Sequence, residues 1–429
     1  MIFSQRHFSY NVIAKPIGPV CNMACSYCYY LSKKYLYHAG THFRLSEQIL
    51  EMFIKQYIES NDTPAVTFAW QGGEPTLLGL EYFNKIIELQ KKYSDGKQII
   101  NALQTNGLYI DEFWCNFFAK NQFLIGVSID GPEKYHNRYR KTSGGRGTFK
   151  KVIKAVETLI QFGVDFNTLT TVNRANQHSG RKIYAFLKEI GSRYIQFIPI
   201  VERQKRQADK KSSSQTMAER EAAIAPWAVE PEAYGQFLID VFEAWVRADV
   251  GETFIQLFDV TLENWMGIQP GLCLFSEQCG TALAMEQNGD IFSCDHFVFD
   301  AYKLGNINND RLIDLTQSDT QIEFGKNKKT SLPKQCFQCN VRFLCHGECP
   351  KNRFSKTSDG ENGLNYLCSG YRNFFCHTAP HMKFMANEIF HGRLASNIMY
   401  NDNMGVQRAQ PFGGVQGQSP CRGPGGSAP

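Results

Sequence analysis

No stretch of this sequence stays apolar long enough to cross a membrane. The first residues, Met1 to Lys15, lack the basic head and apolar run of a secretory signal. Charge of neither sign is in excess: 46 basic against 41 acidic residues leave +5, which gives no broad field for a polyanion. The one basic cluster, Arg203, Lys205, Arg206, Lys210 and Lys211, lies in a Ser/Gln-rich stretch without interleaved aromatics and reads as a solvated linker. Solenoid-type repeats are also missing. These absences predict a cytoplasmic chain with no nucleic-acid and no membrane partner. The 429 residues, 43% apolar, suffice for a large core and more than one domain.

Cysteine is plentiful. Of 14, three fall within the first 28 residues and eight between Cys273 and Cys368, with only Cys115 in the long stretch between. In a reducing compartment that distribution points to metal ligation or catalysis rather than disulfides.

From Tyr10 to about Pro199 short apolar or β-branched segments alternate with amphipathic ones. The strand candidates are Tyr10–Lys15, Ala65–Trp70, Ile99–Thr105, Leu124–Ser128, Asn167–Val172 and Tyr194–Ile200. Helices are expected over Ser46–Glu59, Leu80–Tyr93, Asp111–Lys120, Phe149–Phe162 and Ser179–Ile190, with Ser46 and Asp111 as N-caps. Such alternation predicts an α/β fold with a parallel sheet. Six units are too few for a closed eight-stranded barrel, so an open, partial (β/α)6 barrel is expected. Its reactive groups should lie at the C-terminal ends of the strands. Residues 1–229 would form this core, with a polar connector from about 202. Residues 230–272 would be a linking helical segment with an aromatic-rich helix near Tyr234–Arg247. Residues 273–390 would be a small metal-organised domain, and 391–429 a Gly/Pro-rich tail, disordered at its end.

The loop after the first strand reads Cys21-Asn-Met-Ala-Cys25-Ser-Tyr-Cys28. Three thiolates can hold three irons of a cubane and leave the fourth open to chelate a ligand. Zinc, the plainer alternative, wants four protein ligands, and only His38 stands nearby. Gln71-Gly72-Gly73-Glu74-Pro75 follows the second strand, Gln104-Thr105-Asn106-Gly107 ends the third, and Ser128-Ile129-Asp130-Gly131-Pro132 ends the fourth. A glycine pair lets the main chain approach a ligand closely.

The C-x3-C-x2-C loop with Tyr27, followed one strand later by Gly-Gly-Glu-Pro, resembles the signature of the radical S-adenosylmethionine (SAM) superfamily. The resemblance implies a [4Fe–4S] cluster on Cys21, Cys25 and Cys28, whose free iron binds SAM. Electron transfer to the sulfonium then releases a 5′-deoxyadenosyl radical. It also implies SAM contacts from Tyr27, Gly73, Ser128, Arg140 and Val201. For the last three, an ordinary turn serine, surface arginine and core valine are the competing readings.

Cys279-x9-Gly289-x4-Cys294, then Cys336-x2-Cys339-x5-Cys345-x3-Cys349 and Cys368, matches the SPASM pattern of enzymes that modify peptides and proteins. With Cys273 this makes eight thiolates, enough for two closed four-cysteine sites. The resemblance implies one [4Fe–4S] cluster on Cys273, Cys279, Cys294 and Cys349, and another on Cys336, Cys339, Cys345 and Cys368. Two zinc sites are the structural alternative. Cys115 reads as core; Cys376 and Cys421 carry no assigned role.

Around Cys294 the run Gly289-Asp-Ile-Phe-Ser-Cys294-Asp295-His296-Phe297 resembles the anaerobic sulfatase-maturating enzymes. That resemblance implies conversion of a Cys or Ser in a sulfatase Cys/Ser-x-Pro-x-Arg motif to formylglycine. Asp295 would be the catalytic base, and an external donor such as flavodoxin or ferredoxin would supply electrons. Without the resemblance, Asp295 would read as a turn cap or an ion-pair partner. Two rivals stand beside it. One is a SPASM maturase forging thioether or carbon–carbon links in ribosomal peptides, which often carries an N-terminal recognition domain not found here before the first strand. The other is a non-enzymatic iron–sulfur or zinc regulator, for which an open cluster position has no use. Sequence does not choose between Cys and Ser as target, nor name the sulfatase.

Overall fold

Short apolar segments with buried alternate residues become strands, and the capped amphipathic stretches between them become helices. In the computed structural model, which describes residues 9–38, 40–204 and 223–401, the strands are β1 (Asn11–Ala14), β2 (Ala65–Trp70), β3 (Gln98–Thr105), β4 (Phe123–Ser128), β5 (Phe166–Val172) and β6 (Tyr194–Pro199). The helices are α1 (Glu47–Ser60), α2 (Gly79–Tyr93), α3 (Glu112–Lys120), α4 (Glu133–Tyr139), α5 (Phe149–Gln161), α6 (Gly180–Glu189), α7 (Pro231–Ala248) and α8 (Gln256–Trp265). The expected N-caps hold: Ser46 accepts from the Ile49 N–H at 3.3 Å and Asp111 from the Trp114 N–H at 2.9 Å.

The chain forms two compact units: Met1–Thr171, Phe186–Ser192 and Gln278–Lys328 in unit 1, and Val172–Ala185, Arg193–Glu277 and Lys329–Pro429 in unit 2. In unit 1, β1 to β5 lie side by side in chain order, all parallel. Phe53 and Tyr57 of α1 pack on Phe68 and Trp70 of β2, with ring centroids 5.0–6.2 Å apart. On the other side of β1 the sheet continues through Ala282–Met285, parallel to β1, and then antiparallel through Asp290–Phe292 and Lys303–Asn306.

Gln278–Lys328 belongs to the sheet-bearing unit because Ala-Leu-Ala-Met finds a partner in β1, from Asn11↔Ala282 to Ala14↔Met285. Three of its four residues are buried.

In unit 2, β6 pairs in parallel with Phe254–Ile255. The helix α7 packs against the helix Cys368–Phe390 through two glycines. A Cβ on Gly370 would lie 2.0 Å from the Pro231 carbonyl oxygen, and one on Gly235 2.5 Å from that of Gly370. The core beside them is aromatic: Phe242 and Phe258 each contact the rings of both Trp245 and Phe374. Part of the polar connector, residues 205–222, and the tail 402–429 with its expected disorder lie outside the described residues. No helix among the described residues is long and apolar enough to cross a membrane.

Candidate functional site

The loop that follows β1 is held from two sides. Ala24 N–H donates to the Lys141 carbonyl at 2.8 Å, and Cys28 N–H to that of Cys25 at 3.0 Å. Cys21 Sγ accepts from the Met23 N–H at 3.4 Å and the Asn106 side-chain amide at 3.6 Å. Cys21, Cys25 and Cys28 are thus half-buried on one short loop at the C-terminal end of a parallel strand, with β2's glycine pair alongside. Gly73 N–H donates to the Gly18 carbonyl at 2.7 Å, and Glu74 N–H to that of Val20 at 2.8 Å. A Cβ at Gly73 would come within 1.9 Å of the Val20 oxygen. The glycine is therefore required by the backbone just ahead of Cys21.

Glu74 ties this loop to the next. Its buried carboxylate accepts from the Thr76 N–H and hydroxyl (3.1 and 2.6 Å), the Thr105 hydroxyl (2.7 Å) and the Asn106 N–H (2.7 Å). Burial still raises its pKa.

Asp130, fully buried after β4, gathers two of the residues expected at SAM. Tyr27 donates its hydroxyl at 2.5 Å, Arg140 Nε approaches at 3.0 Å, and the Thr171 N–H donates at 3.0 Å. Arg140 is only 7% exposed, so it is no surface arginine. Ser128 is buried at the end of β4 in unit 1. Val201 is buried just after β6, in unit 2.

Asp295 begins a 3-10 turn directly after Cys294, and Lys15 and Tyr29 meet it from the N-terminal part of the chain. Lys15 forms an ion pair with Oδ1, and Tyr29 donates its hydroxyl to Oδ2 at 2.7 Å. Burial alone would raise the pKa of this carboxyl. The Lys15 and His296 charges and the bonds from Lys15 and Tyr29 outweigh it and hold the pKa down, at about 2. Lys15 is 1% exposed, and its ammonium sits 3.7 Å from the centre of the Tyr30 ring. Tyr30 in turn donates to both oxygens of the fully buried Glu286, at 2.8 and 2.7 Å, and Tyr37 adds a bond at 2.9 Å. Lys15, Tyr29 and Glu286 were not singled out from the sequence. The available signals were a lysine closing an apolar strand and tyrosines directly following a cysteine motif.

The eight later cysteines divide. Cys279 and Cys294 belong to unit 1, Cys273 and Cys349 to unit 2. Gln321 braces the unit 1 pair by donating to the Gly280 and Ser293 carbonyls at 2.7 and 3.1 Å. Cys336, Cys339, Cys345 and Cys368 all lie in unit 2 and all line one cavity of about 380 Å³. Four thiolates around a cavity of this volume match the donor set of a closed four-iron cubane. The loop between Cys345 and Cys349 is tightly bent, with left-handed backbone at His346, Gly347 and Glu348. Arg353 secures it by donating to the carbonyls of all three. Cys115 is fully buried in α3, as a core residue should be.

Residues 16–187 match the radical SAM superfamily, and 273–340 match an iron–sulfur cluster-binding SPASM domain. The chain is 48% identical over 388 residues to the serine-type anaerobic sulfatase-maturating enzyme of Bacteroides thetaiotaomicron, covering 90% of this chain and 94% of that one. It is 32% identical over 382 residues to the cysteine-type enzyme of Clostridium perfringens, covering 88% and 99%. A solved structure of native anSMEcpe with bound AdoMet and the Cp18Cys peptide superposes with a TM-score of 0.77 at 32% identity, over 88% of this chain and 99% of that one. The cysteine loop on a parallel βα sheet, the second cysteine set and these likenesses agree: the chain belongs to the anaerobic sulfatase-maturating enzymes, radical SAM oxidoreductases with a SPASM domain that carry [4Fe–4S] clusters and convert a Cys or Ser of a sulfatase to Cα-formylglycine.

Proposed function

We propose that this chain acts on serine, in a Ser-x-Pro-x-Arg segment of its sulfatase, and that Asp295 takes the proton released as the aldehyde forms. The support is the 48% identity to the serine-type enzyme of Bacteroides thetaiotaomicron, against 32% for both a Klebsiella serine-type and a Clostridium cysteine-type enzyme. The arrangement that carries the mechanistic reading is Asp295 held between Lys15 and Tyr29 in the unit that bears the Cys21–Cys28 loop. SAM on the cluster of Cys21, Cys25 and Cys28 would supply the radical that removes a hydrogen atom from Cβ.

The remaining work falls to the chain's own residues. With the Cβ hydrogen atom gone, the substrate hydroxyl must lose its proton as the electron leaves, and an ionised carboxylate beside it can accept that proton. The acceptor must be in its anionic form when the radical forms. A carboxylate held down by Lys15 meets that need, and Tyr29 fixes which oxygen remains oriented. Tyr27 and Arg140, both anchored on Asp130, and Gly73, Ser128 and Val201 are assigned to SAM. Cys273, Cys279, Cys294 and Cys349 are assigned to one auxiliary cluster, and Cys336, Cys339, Cys345 and Cys368 to the other. The electron donor would be a flavodoxin- or ferredoxin-class carrier, and the reducing cytoplasm would suit so many thiolate ligands.

The test is a pair of short peptides differing only in Ser or Cys at the target position, incubated anaerobically with reconstituted enzyme and SAM. The serine peptide is expected to give aldehyde, one per 5′-deoxyadenosine. Oxidation of the cysteine peptide alone would refute the serine assignment. Cross-linked or thioether products would instead favour the peptide-maturase rival.

A further inference from the structure

Removing hydrogen atom, proton and electron from the substrate balances as SAM⁺ + R–CH₂OH → methionine + 5′-deoxyadenosine + R–CHO + H⁺. The electron that leaves the substrate equals the one that splits SAM, so the chemistry is redox-neutral overall. Priming the enzyme, and passing that electron onward, still require exchange with a carrier in solution. Unit 2 offers a place for it.

The cavity ringed by Cys336, Cys339, Cys345 and Cys368 is formed by residues that are each only partly buried. Its lining includes two guanidinium groups, Arg342 and Arg372, and no carboxylate. Arg372 is exposed, as are Lys334 and Gln335 at the rim. Two aromatic rings also stand out in solvent there: Phe337 at 45% and Phe343 at 41% exposure. The Arg342 guanidinium lies 5.3 Å from the Phe337 ring centre. Phe343 is braced edge-on by Trp265 at 5.1 Å. Glu361, a carboxylate on the neighbouring hairpin, accepts from the Lys334 backbone N–H at 2.9 Å. Glu277, ion-paired with Lys329, also lies within electrostatic reach of Arg342, so the positive charge is confined to the cavity lip at Arg342 and Arg372. A small cationic lip with a few exposed rings suits a weak, fast, charge-steered encounter, the usual kind for electron-transfer pairs. The same charge disfavours the sulfatase segment, whose motif itself carries an arginine.

We propose that this face of unit 2 is the docking surface for an acidic one-electron carrier protein, recognised by Arg342 and Arg372. The proposal rests on the assignment of the second auxiliary cluster to these four cysteines. The step itself makes and breaks no bond: one electron passes between cluster and carrier, oxidising one and reducing the other.

The experiment uses holoenzyme reduced with dithionite, freed of excess reductant and mixed in stopped flow with oxidised flavodoxin, following semiquinone absorbance. At low ionic strength the Arg342→Glu/Arg372→Glu variant is expected to reduce flavodoxin about tenfold more slowly, within the 10–10³ range of electrostatic steering. The difference should shrink to about twofold or less in 0.5 M salt, where charges are screened beyond about 4 Å. Arg342→Lys/Arg372→Lys should keep the parent rate. SAM cleavage driven by dithionite, a small reductant that needs no docking, should be unchanged in both variants. Equal flavodoxin rates for parent and Glu variant at low salt would overturn the proposal, as would a slowdown indifferent to salt. Should the Glu variant lose iron, the Arg342→Gln/Arg372→Gln variant decides on the same readout. The cluster assignment is tested separately: Cys336→Ala/Cys368→Ala keeping its full iron content would sink that reading, whatever the flavodoxin rates.

Discussion

Asp295→Asn separates a catalytic carboxylate from a structural one. Asn is nearly isosteric and keeps an oxygen for the Tyr29 hydroxyl, now 2.7 Å from Oδ2, but it cannot take a proton at useful pH. The substitution also strips Lys15, 1% exposed, of its partner, itself 13% exposed. Breaking a buried pair from one side costs about 3–5 kcal/mol. The low end is expected here, because Lys15 also lies within the electrostatic reach of Glu286. The variant should therefore be less stable yet keep its clusters and bind SAM. Hydrogen abstraction precedes proton loss, so 5′-deoxyadenosine should still form. Aldehyde should fall by roughly 10²–10⁴-fold, the usual general-base contribution, or about 3–5 kcal/mol of barrier. The assay is the ratio of aldehyde to 5′-deoxyadenosine by mass spectrometry. Aldehyde remaining in step with 5′-deoxyadenosine would remove Asp295 from the mechanism and leave the Lys15 pair as a purely structural contact.

Two further outcomes are expected. Gly73→Ala places a methyl 1.9 Å from the Val20 oxygen. Overpacking of that kind costs about 1–3 kcal/mol, which should appear as about 5–150-fold weaker SAM binding at equilibrium if the displaced loop carries that cost into the site; unchanged affinity would refute the close-approach argument. Reconstituted protein should hold about twelve irons, falling to about eight with loss of SAM cleavage in Cys21→Ala/Cys25→Ala/Cys28→Ala; zinc at the SPASM cysteines would contradict this.

Sequence by itself determined the local elements and the chemistry-bearing motifs. Six strands and the five helices expected between them stand within a residue or two of their expected limits because periodicity, Ser46 and Asp111 act over a single helix turn or strand. The cysteine loop was equally legible, since three ligands on eight consecutive residues need no distant partner to declare their purpose. What tertiary structure decided are the pairings between segments far apart in the chain. Ala282–Met285 reads as one more apolar run until β1 offers it an open parallel edge, and that contact moves Gln278–Lys328 into the sheet-bearing unit. Tyr29 and Asp295 are 266 residues apart, and neither side chain betrays the other in sequence. The same holds for Tyr27 and Arg140, which converge on Asp130. A buried charge is tolerable only with its counter-charge in place, and which counter-charge arrives is settled by how the sheet orders its strands.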